Sequence, residues 1–567
     1  MIGNKRPVAR AGSILLGSML IASTCPALAA DDFILQQQRE EARRRLLEPN
    51  PEVRLAETPV TAAPRLPQNE TPCFPIDQLV LTGELAERFQ WALAAAAGDN
   101  DSPIGRCLGA EGVGIVLKRI QNALIERGYV TTRVLAGPQN LKGGTLTLTL
   151  IPGRIRAIRF APGSGERATW WNTFPMGPGD LLNLRDIEMA LENYKRLPTA
   201  EADIQIAPSE GKDAQPGDSD LIVTWKQSFP LRLTLTADNS GTQATGKLQG
   251  SATLSADNLL GLQDLFYVTL SHDLSNSTNA YGTQGNSVYY GVPFGYWLLS
   301  ASHNTYTYYQ SVAGAFQTYR YSGTSNNNDL RLSRVVWRDA NARTTLGVRA
   351  WERDNSNYID DTQIDVQHRR VGGWEINGNH RQFIGQSTVD ANLAYRRGTG
   401  AFDALPAPEE AFGEGTSRMR IVTGDIQAQV PFELLGQRLR YLGVARMQWA
   451  DTALVPQDRF AIGSRFTVRG FDGEYLLQAR NGWLVRNDLG VTLGASGIEA
   501  YLGLDAGQVN GPEVQRLLGR GLAGGVVGLR GAAYGVSYDF FVGKPLAKPE
   551  HFPTADTTAG FSLVWSI

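Results

Sequence analysis

The sequence has little of what most catalytic and metal sites need. Only five histidines, six methionines and three cysteines occur among 567 residues. The histidines are scattered, and none has a second ligand at the spacing that metal sites use. No His-Glu-x-x-His, Gly-x-Ser-x-Gly or phosphate-loop pattern is present either. We therefore predict a protein that is not an enzyme, with no catalytic residue, no metal and no cofactor.

Charge and long apolar runs are also scarce. Charged residues make up 19% and the formal net charge is −2, so no general attraction to nucleic acid is expected. Beyond the first thirty residues, no run approaches the roughly 18 apolar residues of a membrane-spanning helix. Glycine (61) and aromatic residues (11 Trp, 19 Tyr, 20 Phe) are plentiful instead. This composition argues against a helical membrane protein, a coiled coil and a disordered chain.

The first thirty residues are typical of an export signal. Three basic residues, Lys5, Arg6 and Arg10, precede a short apolar stretch over 13–23. The small residues of 27–30 then supply a cleavage site after Ala29 or Ala30. We predict that residues 1–30 are a signal peptide.

Export into an oxidising compartment permits disulfides. The mature chain keeps two cysteines, Cys73 and Cys107, because Cys25 lies in the signal. We predict that they form one bridge, worth about 3–4 kcal/mol by loop-entropy arithmetic. Two separate buried thiols are the alternative.

Residues 31–48 are predicted to form a helix that is polar around its middle. Its large apolar residues cluster at the two ends, and Glu and Arg side chains fill the centre. Such a helix has no apolar face for a core, so it either floats in water or lies in a polar cavity. Residues 49–72 contain repeated prolines and predict an extended linker.

Residues 73–228 contain a repeat of two small α+β units. The first unit spans 73–153 and the second spans 154–228. Helical periodicity predicts helices over 85–97 and 112–128 in the first unit and over 184–197 in the second. Alternating segments such as 145–151 (TLTLTLI) predict the strands.

Residues 229–567 have no helical pattern of useful length. Short segments such as 231–236 (LRLTLT) alternate, and clusters of Gly, Asn, Asp and Ser separate them. A membrane barrel places the apolar residues outward and the polar residues inward. At about ten residues per tilted strand, this region accommodates sixteen strands around a channel. A soluble all-β protein is the alternative.

Several motifs together resemble one family over essentially the whole chain, the two-partner secretion transporters (TpsB family; hemolysin secretion/activation proteins). The most specific motif is 467–473 (TVRGFDG), which is similar to the family's VRGF or VRGY loop motif. The weaker matches are 287–299 (SVYYGVPFGYWLL), 107–109 (CLG), 123–129 (ALIERGY) and 196–198 (RLP).

The resemblance implies a membrane all-β protein with an α+β periplasmic part. The implied order is a signal peptide, a pore-plugging helix (31–48), a linker (49–72), two POTRA domains (73–153 and 154–228) and a sixteen-stranded outer-membrane β-barrel (229–567). It further implies ATP-independent export of a TpsA-like exoprotein, a hemolysin, an adhesin or a contact-dependent toxin, from the periplasm to the cell surface. Outer-membrane lipid and the barrel assembly machinery are the other implied partners.

The motif residues Val468, Arg469, Gly470 and Phe471 lie in a long connection between predicted strands 438–449 and 483–493. A loop of this length is typically functional. Strand alternation over 501–507 (YLGLDAG) turns the leucines to lipid and Asp505 to the lumen. The resemblance implies that the motif arginine contacts an aspartate of this kind on the barrel wall.

Three other functions remain open from the sequence. A barrel-assembly factor of the same superfamily predicts more POTRA copies and no plug. A passive porin explains the barrel but not the periplasmic repeats or the arginine-bearing loop. A soluble secreted adhesin predicts that the protein does not fractionate with outer membranes.

Overall fold

The computed structural model describes residues 32–49, 51–55, 63–210, 212–275, 280–494 and 496–567. The predicted signal peptide lies outside these residues. The described chain forms one polar helix, two α+β units and a closed β-barrel. None of its helices combines the length and hydropathy needed to cross a bilayer.

The first helix, α1, spans 32–47. Its predicted first residue, Asp31, lies outside the described residues. The described linker residues, 51–55 and 63–72, contain no helix or strand, in keeping with their prolines.

The first unit folds as a three-stranded sheet covered by a long helix. Its strands are β1 Phe74–Ile76, β2 Gln78–Gly83, β3 Arg106–Leu108, β4 Arg133–Leu135 and β5 Thr145–Ile151. Its helices are α2 Ala86–Phe89, a 3-10 helix Gln90–Ala97, α3 Ala110–Glu126 and a 3-10 turn Leu141–Gly143. The sheet order is β2-β5-β4. Ile120 and Leu124 of α3 are fully buried against Leu146 and Leu148 of β5.

The helix predicted over 85–97 is present over 86–97, but most of it is 3-10 helix rather than α-helix. The segment forms four residues of α-helix and then a 3-10 helix. Neither Leu85, before the α-helical turn, nor Phe89, before the 3-10 helix, provides a side-chain cap. The small Ala92 and Ala96 are instead buried in the same core as Ile120.

The second unit has the strand order β6-β8-β7. Its elements are β6 Arg154–Phe160, α4 Leu184–Lys195, β7 Ala200–Pro208 and β8 Asp218–Gln227. Ile187, Leu191 and Tyr194 of α4 pack on Val223 and Trp225 of β8. Residues 161–183 form turns where the first unit has its first helix.

The barrel closes through pairing of its last strand with its first strand. Sixteen antiparallel strands form the wall. They are β9 Leu231–Asp238, β10 Gln249–Asp257, β11 Leu265–Asp273, β12 Tyr281–Phe294, β13 Trp297–Ala313, β14 Thr318–Arg338, β15 Ala342–Ile359, β17 Arg369–Ile384, β18 Ser387–Thr399, β19 Arg420–Leu434, β20 Gln437–Ala450, β23 Asn481–Thr492, β24 Glu499–Asn510, β25 Gly521–Ala533, β26 Val536–Ala547 and β27 Thr558–Ser566.

The connections carry the remaining short elements. These are β16 Thr362–Gln363, β21 Phe460–Ile462, β22 Leu477–Ala479 and the 3-10 turns Asp365–Gln367, Pro408–Phe412, Pro456–Asp458 and Pro512–Arg516.

The wall has its apolar residues outside and its polar residues inside. On β14, Leu330 and Leu332 are exposed on the outer face, whereas Asn327 and Asp329 line an internal cavity. On β24, Leu502 and Leu504 are about half exposed, whereas Asp505 is buried. This inverted alternation confirms the predicted membrane barrel and excludes a soluble all-β protein.

A buried ionic cluster attaches the second unit to the barrel rim that faces it, here called the proximal rim. Glu192 of α4 accepts hydrogen bonds from Arg338 Nη1 at 2.9 Å and from Arg343 Nη1 at 2.6 Å. Glu188 accepts from Arg338 Nε at 3.2 Å. The linker joins the cluster, because Val53 N donates to Glu192 at 3.1 Å and Arg338 Nη2 donates to Val53 O at 2.7 Å. The glutamates are almost fully buried, so this docking cluster (Glu188, Glu192, Arg338, Arg343 and Val53) depends on mutual charge compensation.

The structure joins Cys73 and Cys107 in a disulfide with a Cα–Cα distance of 5.3 Å. The bridge ties the start of the first unit to β3, beside the pairing of Pro75 with Cys107. Residues 73 and 107 are 34 apart in sequence, so the bridge closes a loop that holds α2 and the 3-10 helix.

Replacing both cysteines by serine is expected to destabilise the first unit by about 2–5 kcal/mol, because the unfolded chain regains the entropy of the open loop. Hydrogen exchange of the intact protein should show faster exchange in α3. The amides of α4 in the second unit serve as the internal control. Mass spectrometry of the unreduced mature protein should show one cross-linked peptide. Two cysteines that both react with an alkylating agent would contradict the bridge.

Candidate functional site

The lumen of the barrel contains helix α1. Arg39 donates from Nε to Ser240 Oγ at 2.9 Å and from Nη1 to Gln249 Oε1 at 3.3 Å. Further along the helix, Arg44 donates to Ser302 Oγ, and its guanidinium lies 3.8 Å from Asp329. The predicted polar helix therefore lies in a polar cavity, which is one of the two environments that its sequence allowed.

The helix leaves part of the lumen unfilled. A polar cavity of about 200 Å³ separates it from the lumenal side chains of β13, β14 and β15. A second cavity of about 240 Å³ lies toward β19 and β20. Because cavities lie between the polar contacts of α1, water can replace its hydrogen-bond partners. The middle of α1 is therefore held far less tightly than a helix packed in a core.

The apolar residues at the two ends of α1 have separate partners. Ile34 and Leu35 pack with Ala461 and Leu476 of the long connection between β20 and β23. At the other end, Leu47 is buried in the core of the second unit. The clustering of apolar residues at the helix ends, visible in the sequence, is thus explained by one contact at each end of the lumen.

The connection between β20 and β23, residues 451–480, folds back into the lumen and is here called the lumenal loop. It reaches α1 through Ser464, whose Oγ donates to Gln38 Oε1 at 2.8 Å. Val468 and Phe471 are buried in an apolar cluster with Leu522. The ring of Phe471 lies 5.9 Å from that of Phe552 in an edge-on arrangement. The apolar members of the motif therefore pack the loop tip against the wall.

Arg469 lies between two carboxylates of the barrel wall. Its Nε donates to Asp505 Oδ2 at 2.7 Å and its Nη2 donates to Asp505 Oδ1 at 2.8 Å. The backbone N–H of Arg469 donates to Asp505 Oδ2 at 3.0 Å. Nη2 also donates to Asp488 Oδ1. The side chains of Arg469 and Asp505 are only 4% and 1% exposed, so this forked pairing is shielded from solvent.

Asp488 is a member of the site that the sequence analysis missed. It lies on β23, and Arg530 of β25 donates to its second oxygen at 3.2 Å. Arg486, two residues earlier, approaches Asp505 at 3.7 Å. In the β23–β24 register, Asp488 pairs with Gly503 and Arg486 pairs with Asp505. The sequence did contain a signal for Asp488, because the residues of β23 alternate between apolar and polar as those of β24 do, and this alternation turns Asp488 to the lumen.

Two glycines make room for Arg469. Gly470 adopts φ +95°, and a Cβ there would lie 2.5 Å from Lys544 O of the wall. A Cβ on Gly503 would lie 2.7 Å from Arg469 Nη2. A side chain at either position would push the loop tip away from the wall.

The site therefore consists of a polar helix in the lumen, a loop that contacts it and an ionic pairing between that loop and the barrel wall. Among the residues that the structure describes, no group of three or more His, Cys, Asp or Glu could hold a metal ion. The arrangement suits the opening and closing of a wide polar channel better than chemistry on a small molecule.

Comparisons with known proteins agree with this geometry. The family model for the haemolysin secretion/activation proteins ShlB/FhaC/HecB matches residues 217–531. Models of POTRA domains match residues 74–153, as the ShlB type, and residues 154–208.

One relative, the outer membrane transporter CdiB-2 of Burkholderia pseudomallei (strain 1026b), is 38% identical over 96% of this chain and 94% of its own length. The solved structure of CdiB from Acinetobacter baumannii superimposes with a TM-score of 0.83 at 28% identity and covers 95% of this chain and 99% of its own. The solved structure of CdiB from Escherichia coli gives a TM-score of 0.81 at 25% identity and covers 96% of this chain and 99% of its own. These relatives are transporters rather than enzymes. The chain belongs to the ShlB/FhaC/HecB family of haemolysin secretion/activation proteins, the TpsB transporters.

Proposed function

We propose that this protein is the outer-membrane translocator of a two-partner secretion system. It exports a large unfolded exoprotein from the periplasm to the cell surface through the sixteen-stranded barrel. The observation that carries the proposal is the occupied lumen, in which a polar helix fills a channel wide enough for a polypeptide. The two POTRA units lie at the periplasmic mouth of that channel, where an exported chain arrives.

The POTRA units supply the capture surface for the exoprotein. Each sheet has three strands, in the orders β2-β5-β4 and β6-β8-β7. A sheet edge offers unpaired N–H and C=O groups to which an extended chain adds by main-chain hydrogen bonds. An exoprotein segment recognised in this way, whether from a hemolysin, an adhesin or a contact-dependent toxin, is held unfolded beside the pore. No ATP is required, and folding of the emerging chain outside the cell supplies the driving force.

Helix α1 is the plug of the resting channel and leaves the lumen during export. Its contacts along the wall are hydrogen bonds and ion pairs with polar side chains of the lumen, such as Ser240 and Gln249, and each is worth little once water can replace it. Its apolar ends hold it at the lumenal loop and at the second POTRA unit. Movement of either support therefore loosens the plug.

The motif residues Val468, Arg469, Gly470 and Phe471, with Asp505, anchor the lumenal loop to the wall. This anchoring holds the loop where it supports the plug, and it keeps a shaped passage when the plug has left. A passive porin has no need of such an anchor or of POTRA units. A barrel-assembly factor is not favoured either, because two POTRA units and a plug fit the secretion transporters.

Deleting residues 32–47 is expected to raise single-channel conductance in planar bilayers, because it removes a helix that lies in the lumen. Arg39→Ala should increase the fraction of time in the open state, since it removes the hydrogen bonds to Ser240 and Gln249. Arg45→Ala is the matched control, because Arg45 is an exposed arginine of the same helix. Unchanged conductance after the deletion would show that the helix does not block the pore.

Arg469→Ala is expected to reduce secretion strongly while the barrel still inserts, because the buried Asp505 loses its forked partner and keeps only Arg486 at 3.7 Å. Arg469→Lys should rescue little, since an ammonium cannot reproduce the forked pairing. Asp505→Ala should be milder, because Arg469 retains Asp488. The measurement is exoprotein in the medium, normalised to barrel in the outer membrane.

Arg418→Ala is the control for these variants, since Arg418 is exposed in the connection between β18 and β19. It should secrete normally. Full secretion by Arg469→Ala would contradict the anchoring role.

A further inference from the structure

The proximal rim of the barrel carries an apolar surface that the export function does not use. Five large apolar side chains on the second POTRA unit and the adjoining barrel turns are 40% to 64% exposed. They are Trp171, Leu259, Leu260, Phe294 and Trp297, here called the rim patch. Exposed clusters of large apolar side chains mark an interaction surface rather than a surface in contact with water.

Trp171 is held rigidly in this patch. It lies in residues 161–183, the segment that replaces a helix in the second unit. The next residue, Asn172, is 1% exposed; its Nδ2 donates to Leu262 O at 2.6 Å and its carbonyl accepts from Gly295 N at 2.7 Å. On the other side, Arg167 Nη2 donates to Leu259 O at 2.8 Å. With both flanks bound to barrel turns, Trp171 cannot turn into the core of its own unit.

The rim patch continues the lipid-facing surface of the barrel. The ring of Trp171 lies 6.2 Å from that of Phe294, the last residue of β12. Phe294 pairs with Trp297 at the start of β13. Leu299, on the same face of β13 as Trp297, is 39% exposed on the outer wall. The patch thus lies outside the channel mouth and in line with the apolar belt.

The residue types fit the boundary between hydrocarbon and lipid headgroups. Tryptophan places an apolar ring and one N–H donor in a single side chain, and it is enriched at membrane interfaces for that reason. The Arg334 guanidinium lies 5.0 Å from the Trp297 ring, and long basic side chains at this depth reach the headgroups.

We propose that the second POTRA unit is anchored in the periplasmic leaflet of the outer membrane through Trp171. Together with Leu259, Leu260 and Phe294, this side chain inserts among phospholipid acyl chains just below the headgroups. The contact adds a membrane attachment to the docking cluster and sets the angle at which the second unit lies below the pore. The partner is phospholipid, because the patch is continuous with the lipid-facing wall and lies away from the lumen through which an exported chain passes.

Site-directed spin labelling tests the proposal on the full mature chain. Its two cysteines form the disulfide, so a single added cysteine takes the label under non-reducing conditions. Trp171→Cys and Leu260→Cys are labelled in protein reconstituted in phosphatidylethanolamine and phosphatidylglycerol vesicles. Collision with oxygen, which partitions into lipid, is compared with collision with a water-soluble nickel chelate. At both positions, we expect the spin label to collide with oxygen several-fold more often than with the nickel chelate.

Leu135→Cys is the matched control, because Leu135 is a half-exposed leucine on the edge strand β4 of the first unit. The label at position 135 should collide more often with the nickel chelate than with oxygen. Leu260→Cys, on an adjoining barrel turn, is the positive control for the depth of the rim, and Trp171→Cys reports the second unit itself once heat-modifiable migration shows that the barrel has inserted. The proposal would be overturned if the labels in the rim patch collided more often with the nickel chelate than with oxygen, to the same degree as the label at position 135. Loss of label mobility only on addition of the exoprotein's N-terminal region would assign the patch to cargo instead and would also overturn it.

Discussion

The pairing of Arg469 with Asp505 and Asp488 is the interaction on which the lumen depends. A guanidinium and two carboxylates are brought together largely out of water and compensate one another, with Arg486 and Arg530 as the neighbouring cations. Removing one member of such a buried cluster costs about 3–5 kcal/mol. The cluster holds the tip of a loop of some thirty residues. The loop is also fixed to the wall by a buried ion pair between Asp458 and Arg353 of β15 and by apolar packing around Val468 and Phe471.

Helix α1 depends on this loop for its position. Ile34 and Leu35 pack on loop residues, and Gln38 accepts a hydrogen bond from Ser464. At the periplasmic end, the docking cluster joins α4, two barrel strands and the linker that follows α1. The helix is therefore held at both ends by tightly packed or ionic contacts and in the middle by exchangeable polar ones. This distribution suits an element that must stay in place at rest and leave as a unit.

The sequence predicted the barrel well because alternation is a local property of each strand. The same alternation placed Asp505 in the lumen, opposite a loop arginine that the family resemblance identified. It did not predict Asp488, although its strand alternates equally, because no motif drew attention to that strand. The docking cluster could not be predicted, since Glu192 and Arg343 are 151 residues apart and neither lies in a recognisable pattern. The sequence placed a helix over 85–97 but did not show that most of it is 3-10 helix, because periodicity over so short an alanine-rich run does not separate the two helix types.

A double-mutant cycle on secretion tests the central claim most directly. Exoprotein in the medium, normalised to inserted barrel, is measured for Arg469→Ala, Asp505→Ala and the two together. If the two side chains act as one anchor, the double variant should secrete no less than Arg469→Ala alone, because the interaction has already been lost. Losses that add in the double variant would show that the two residues act independently and that their pairing does not anchor the loop.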